Sequence, residues 1–354
     1  MENHDQRNLR LDFLKTIAIS LVLFWHLQPI KILETKENGT FTEILKIVVN
    51  FFDYQLSLLA VPIFLLTSLY LFYRKAETSP LPYMYRRFRR LTEIFLFWFV
   101  CQFAFFFGVS MFMNGSNTVQ SLRQEIPKLL MRGGPALPIV GGSVFYFLFV
   151  LLILVLLSYL FVILKKKEKI IFIISTAIIF VSISHFEILS LKGSGITYWK
   201  PENFFIYAPL SYFLFKCSHE NLRRIIPIAW GCFIIFSIQD IFLRYHGYHL
   251  GSYSRASIVF GSTAIFSSFL QYKNLKKKRF VSFLSKYSLG LYAIHKYLQL
   301  IVILIFAKLG WVAPLFDMSG LLDLFNFTVA VITVSFTFTA VYFLGQTPIK
   351  RYIM

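Results

Sequence analysis

Long apolar runs separated by short polar or basic segments divide this sequence, and their lengths suit a hydrocarbon layer of about 30 Å. They lie near residues 11–30, 46–72, 91–113, 143–164, 169–186, 203–216, 225–243, 256–272, 288–308 and 321–346. The sixth is short and contains Pro209. The pattern predicts an all-α, polytopic integral membrane protein of about ten transmembrane helices, in a single domain covering 1–354. An even number of spans puts both termini on one side. Lysines and arginines decide which side it is. With a cytoplasmic N-terminus, about two thirds of them fall on inner segments, as the positive-inside rule requires. The inner clusters are Arg7 to Lys15, Arg74 to Arg90, Lys165 to Lys169, Lys216 to Arg224, Lys273 to Lys286, and Lys350 with Arg351. Trp199 and Trp311 then fall at outer span ends, where indoles favour the interface. The first apolar run, Ile17 to Leu27, resembles a signal peptide, but Leu27-Gln28-Pro29 stands where a small-x-small cleavage site would be, so it reads as an uncleaved span. The last span runs nearly to Met354, and no appended soluble domain is expected.

Composition sharpens this picture. Of 354 residues, 57% are hydrophobic and only 15% charged, against about 25% charged in a soluble domain. The net charge of +19 would point to nucleic acid in a soluble chain. Here the basic residues cluster between apolar runs and set orientation against membrane lipids, so no nucleic-acid partner is expected. Cys101, Cys217 and Cys232 form no C-x-x-C and lie near no histidine at zinc spacing, which argues against a metal site or a disulfide framework. The longest outer loop, about 114–142, is rich in glycine and proline and reads either as a segment dipping back against the bundle or as a surface loop with turns.

Ionisable groups inside spans are costly and by default mark functional sites. The first span carries three: Asp12, Lys15 and His26. Lys15 and His26 are close to three helical turns apart, so they share a face, with His26 about 16 Å further along the axis. Asp12 joins that face one turn before Lys15 and is expected to pair with Lys15 or with an arginine. The bland alternative is a helix-start charge cluster plus a histidine bonded to a neighbouring carbonyl. A second stretch, Tyr83 to Leu91, holds Arg86, Arg87, Arg89 and Arg90 ahead of the third span. Arg87 and Arg90 are three apart and form one forked cationic surface, suited to phosphate oxygens. An anchor on anionic headgroups would explain the same composition. In a third stretch, Ser288, Tyr292, His295 and Gln299 fall on one helical face. That polar seam faces the bundle interior, or serves as hydrogen-bonding glue between helices. Val61-Pro62-Ile63-Phe64 with Ser68 in the second span, and Tyr146-Phe147-Leu148 opening the fourth, are weaker signals.

Taken in order, these stretches resemble the acyltransferase 3 family of membrane acyltransferases, over nearly the whole chain. Its Leu-Asp-x-Leu-Arg entry and the histidine beyond it are similar to Leu11-Asp12-Phe13-Leu14-Lys15 and His26. Its second-span motif resembles Val61 to Leu69, its Arg-x-x-Arg resembles Arg87 and Arg90, and its Trp-Phe-Leu resembles Tyr146-Phe147-Leu148. Its Ser-x-Gly-x-Tyr-x-x-His is met by Ser288, Gly290, Tyr292 and His295. Lys15 stands for the usual arginine, Leu69 for a glycine and Tyr146 for a tryptophan, marking a divergent member.

The resemblance implies an O-acyltransferase, above all an O-acetyltransferase, in the cytoplasmic membrane of a bacterium. It would move an acyl group from acetyl-CoA or another acyl-CoA to a hydroxyl of a glycan or lipid-linked sugar. The acyl-CoA is a donor substrate, and no tightly bound cofactor is implied. His26 is the expected general base, Arg87, Arg90 and Lys15 hold the donor's phosphates, Tyr292 and His295 orient the acyl carbonyl or the acceptor, and Asp12 and Ser288 are supporting residues. A carrier or flippase for the same polysaccharide or lipid-linked sugar is the alternative. It would favour inverted repeats, and the sequence shows no internal repeat.

Overall fold

The structure, a computed structural model, describes residues 4–30, 40–77, 79–114, 145–189, 198–248, 250–272, 275–276, 278–310 and 324–354. The loop expected at 114–142 and Trp311 lie outside or at the edge of these residues. The described residues are helical, without strands. In chain order the helices are α1 (His4–Leu27), α2 (Thr40–Phe51), α3 (Ala60–Ala76), α4 (Pro80–Asn114), α5 (Tyr146–Ile163), α6 (Lys166–Leu189), α7 (Tyr207–Lys216), α8 (His219–Tyr245), α9 (Ala256–Gln271), α10 (Arg279–Lys286), α11 (Ser288–Lys308), α12 (Leu324–Leu344) and α13 (Lys350–Ile353).

Six helical stretches among the described residues are long and apolar enough to cross a membrane: Ile47–Ala76, Tyr146–Ile163, Lys166–Phe186, His219–Tyr245, Ser288–Phe306 and Leu324–Leu344. They correspond to the second, fourth, fifth, seventh, ninth and tenth expected spans. The first and third form continuous helices of 24 and 35 residues, α1 and α4, and the eighth a 16-residue helix, α9. The expected sixth span differs most. It consists of a 3-10 turn, Pro201–Phe204, followed by the ten-residue α7, about 15 Å long. Pro209 sits in the first turn of α7, the one place where a missing N–H costs nothing.

The outward faces explain where such helices live. On α6, Ile170, Ile171, Ile174, Ile178, Val181 and Phe186 are all exposed, and α8 and α12 show similar rows. A contiguous apolar surface of this extent has a solvent only in lipid. Cys101 and Cys232 are half-exposed on their helices.

The chain divides into two compact units. The first comprises Met1–Phe64, His219–Tyr245 and Ala256–Met354. Its central element is α1, which packs against α9, α10, α11, α12 and the turn before α3. The buried positions of α1, Leu11, Leu14, Ala18, Val22 and Leu23 among them, recur every three or four residues. The helix ends where Gln28 adopts a left-handed φ of 43° and donates its N–H to the Phe24 carbonyl at 3.0 Å, with Pro29 next. Glutamine is strained there. Gln28→Gly is expected to stabilise the protein by about 1 kcal/mol, seen as a higher unfolding midpoint in detergent.

The second span is one continuous helical stretch with a changed pitch in the middle. A π-turn at Phe52–Leu56 and a 3-10 turn at Ser57–Leu59 join α2 to α3. Pro62 lacks an N–H and its ring clashes with the carbonyl four residues back, that of Leu58, so the regular helix yields just there. Close approach elsewhere in this unit depends on Gly290. A Cβ at that position would meet Ile353 Cβ at 2.9 Å and Val341 Cγ1 at 3.3 Å. Gly290→Ala should therefore cost about 1–3 kcal/mol by forcing α13 away from α11, measured as a lower unfolding midpoint.

The second unit comprises Leu65–Ser218 and His246–Arg255. In it α4 packs on α5, and α5 on α7 and on the 3-10 turn before it. Tyr146, 5% exposed, places its ring against Tyr198, Phe204 and Tyr253, and its hydroxyl bonds that of Tyr253 at 2.8 Å. The tyrosine that stands for a tryptophan thus finds a polar partner for its buried oxygen.

Candidate functional site

Two helices of the first unit build the centre of the site. α1 carries His26 in its last turn, and α11 carries Tyr292, His295 and Lys296. Because α1 and α11 pack together, the two imidazoles come within 5.1 Å, centroid to centroid, at an interplanar angle of 40°. His295 is fully buried, and its Nδ1 lies 3.1 Å from the Leu291 carbonyl. A carbonyl only accepts, so Nδ1 carries the proton and Nε2 is left with its lone pair. No described group bonds that buried Nε2. His26 is half-buried and so is the more accessible of the pair. The ring of Tyr292 lies 6.3 Å from His295 and meets Phe64 edge-on at 6.4 Å.

Lys296 completes the group. Its Nζ donates to the main-chain carbonyl of His26 at 2.9 Å and to Oε1 of Gln299 at 3.0 Å. The His26 carbonyl is among the last four of α1, which have no partner within their own helix, and Lys296 supplies one. Lys296 was missed in the sequence, where a charge beside an in-span histidine is itself a functional signal.

The other expected site residues are placed as follows. Asp12 accepts a hydrogen bond from Ser285 Oγ of α10 at 2.5 Å and pairs with neither Lys15 nor an arginine among the described residues. The expectation of an ion pair failed because α10, an element too short to read as a span, packs directly on α1. Lys15 is half-buried on α1. Arg10 is only 4% exposed and its Nη1 caps the last turn of α9 by donating to the Leu270 carbonyl at 2.6 Å. Ser288 donates to the main-chain carbonyl of Ser285 at 3.1 Å, so its hydroxyl serves the junction of α10 and α11. Gln299, expected in a seam with His295, serves Lys296 instead.

The same unit holds a buried polar cluster that the sequence reading passed over. Gln55 of the π-turn donates to Asp240 Oδ2 of α8 at 3.3 Å, and Ser257 of α9 donates to the same oxygen. Nearby, the guanidinium of Arg244 lies 3.3 Å over the ring of Tyr54, which meets Trp25 edge-on. An acid in the seventh apolar run was the available signal.

In the second unit, Arg87 Nη2 donates to Ser68 Oγ at 2.8 Å. The structure thereby joins two of the stretches singled out by pattern, the second-span motif and the arginine pair. Arg87 is half-buried, whereas Arg90 is exposed one turn on. Arg89 points elsewhere and pairs with Glu93 at 2.9 Å. Fixing one guanidinium by a neutral hydroxyl leaves its charge available to an anion.

No curated protein and no solved structure gave a significant match. The family described as Acyltransferase domain (Acyl_transf_3) matches residues 8–341, an interval that takes in every residue of the site. This chain, with its imidazole pair on apolar helices, belongs to that acyltransferase family.

Proposed function

We propose that the protein is a membrane O-acyltransferase, acetyl transfer being the first choice, which uses a cytoplasmic acyl-CoA and a hydroxyl of a cell-surface glycan or lipid-linked sugar. The observation that carries the reading is the pair of imidazoles on α1 and α11, one half-buried and one held in a single tautomer. In the reaction His26 takes the proton of the acceptor hydroxyl as that oxygen attacks the thioester carbonyl. The tetrahedral intermediate then expels the thiolate, which recovers the proton from His26. Arg87 and Arg90 grip the donor's phosphates, and Lys15 adds a further cation on α1. Tyr292 and His295 orient the acyl or acceptor group.

We assign ten crossings, with both termini in the cytoplasm of a cell whose inner membrane holds the protein. The contacts within the first unit support the grouping of its segments into two sides, and the basic residues choose which side is inner. Segments expected on the inner side meet one another, as Asp12 does with Ser285 and Arg10 with Leu270. Segments expected on the outer side do likewise, as Tyr54 does with Trp25 and Arg244.

The carrier reading gains one point from the changed pitch at Phe52–Leu59, since broken helices are frequent in transporters. The turn keeps its internal hydrogen bonds, however, as the Ser57 N–H to the Phe52 carbonyl illustrates. Proteoliposomes with labelled acetyl-CoA outside and membrane-extracted glycolipid acceptors decide between the two. Acyl transfer leaves alkali-labile label on the glycan, whereas glycan that crosses the bilayer unlabelled overturns the proposal in favour of a carrier.

A further inference from the structure

Lys296 is an ammonium within a spanning helix, and both of its hydrogen-bond partners are neutral. Among the described residues no carboxylate pairs with it. It lies eight residues into α11, about 12 Å from the start of the helix. Lysines so placed normally extend toward the nearer interface to keep their charge hydrated. This one does the reverse. Its Nζ reaches Gln299, three residues further into the span, and the carbonyl of His26 on the neighbouring helix. A half-buried cation aimed further into the span calls for an anion, and an ammonium with two of its three N–H groups used has one left to give.

Holding the His26 carbonyl is a sufficient reason for a hydrogen bond at that position, because it closes the end of α1. It is not a reason for a charge, since a neutral donor would close the helix without the cost of burying a cation. The His26 main chain also fixes where that charge stands, beside the residue whose imidazole takes the proton.

Resting on the acyl-transfer reading above, we propose that the Lys296 ammonium binds the oxyanion formed in that reaction. As the acceptor oxygen bonds to the acyl carbon, the carbonyl π pair moves onto oxygen. The remaining N–H of Lys296 meets that negative charge until the pair returns, the C–S bond breaks and the thiolate leaves with the proton from His26. Donors set in advance toward developing charge are the strongest single device available to such a site.

The test compares wild type, Lys296→Gln and Lys296→Arg in proteoliposomes, each with acetyl-CoA and with chloroacetyl-CoA. Chlorine withdraws electrons and stabilises the oxyanion by itself, so that donor needs the ammonium less. Lys296→Gln is expected to lower kcat with acetyl-CoA about 100-fold, with KM nearly unchanged. The loss shrinks with chloroacetyl-CoA, and Lys296→Arg restores at least about tenfold of it. The ratio of the two kcat values is read within one preparation, so it is independent of the fraction folded. Equal losses with both donors, or an arginine variant as poor as the glutamine one, overturn the proposal and leave Lys296 as a helix cap. Wild type that acylates nothing overturns the acyl-transfer reading itself, a different result from active wild type with an unmoved ratio.

Discussion

Replacing His26 with alanine should lower acyl transfer about a thousand-fold while the protein still folds and still binds acyl-CoA. The magnitude is that of a positioned base acting on an alcohol that is far too weak a nucleophile when protonated. Folding should survive because His26 is half-buried and the bond that Lys296 makes to it reaches the main-chain carbonyl, which alanine preserves. His295→Ala provides the contrast. That ring is fully buried and tied to Leu291, so its removal opens a cavity and frees Tyr292, with a smaller kinetic loss and a larger drop in unfolding midpoint. Steady-state rates and melting curves on the two variants separate these roles. A His26→Ala protein that keeps wild-type rates, beside an inactive but folded His295→Ala protein, would reverse the assignment.

Arg87→Ala should raise KM for acyl-CoA by about ten- to a hundred-fold and leave kcat nearly unchanged. A hydrogen bond to a charged group contributes about 1.5–3 kcal/mol, so the loss of one such bond to a donor phosphate gives about that factor. Arg87→Lys should recover only part of that, because an ammonium keeps the charge without the geometry. Ser68→Ala, which releases Arg87 from its 2.8 Å bond, should raise KM by a few-fold. Competition by free coenzyme A measures the same contact without catalysis. Unchanged inhibition in Arg87→Ala would show that the arginines merely anchor the helix to anionic lipid.

Much of the helix inventory was legible in the sequence because apolar run length reports directly on bilayer thickness. The one-face relation of Lys15 and His26 was legible too, since it needs only a continuous helix, and α1 is one. Contacts between helices were harder to foresee. Nothing in the period of α11 says that His295 will meet His26, because that depends on which neighbour α1 chooses among α9 to α12. Asp12 illustrates the same limit: its partner Ser285 is 273 residues away on an eight-residue helix. Ser288 failed differently. Its spacing suits the seam, but a serine opening a helix satisfies the main chain first. The sixth expected span, which became α7, was counted from its apolar run, while Pro201 and Pro209 govern where regular α-helix can begin.

The length of α4 has a mechanical corollary. At 35 residues it measures about 52 Å, against about 35 Å for its apolar part from Leu91 onward. Its first eleven residues, Pro80 to Arg90, thus form a rigid extension of the buried rod rather than a flexible tether. On the proposed ten-crossing arrangement, the height and tilt of Arg87 at the bilayer surface are geared to whatever the rest of the rod does. A thicker bilayer stands the rod upright, and a thinner one leans it over. Affinity for the donor is therefore expected to vary with the acyl-chain length of the surrounding phospholipid, so that the enzyme senses the thickness of the membrane it works in.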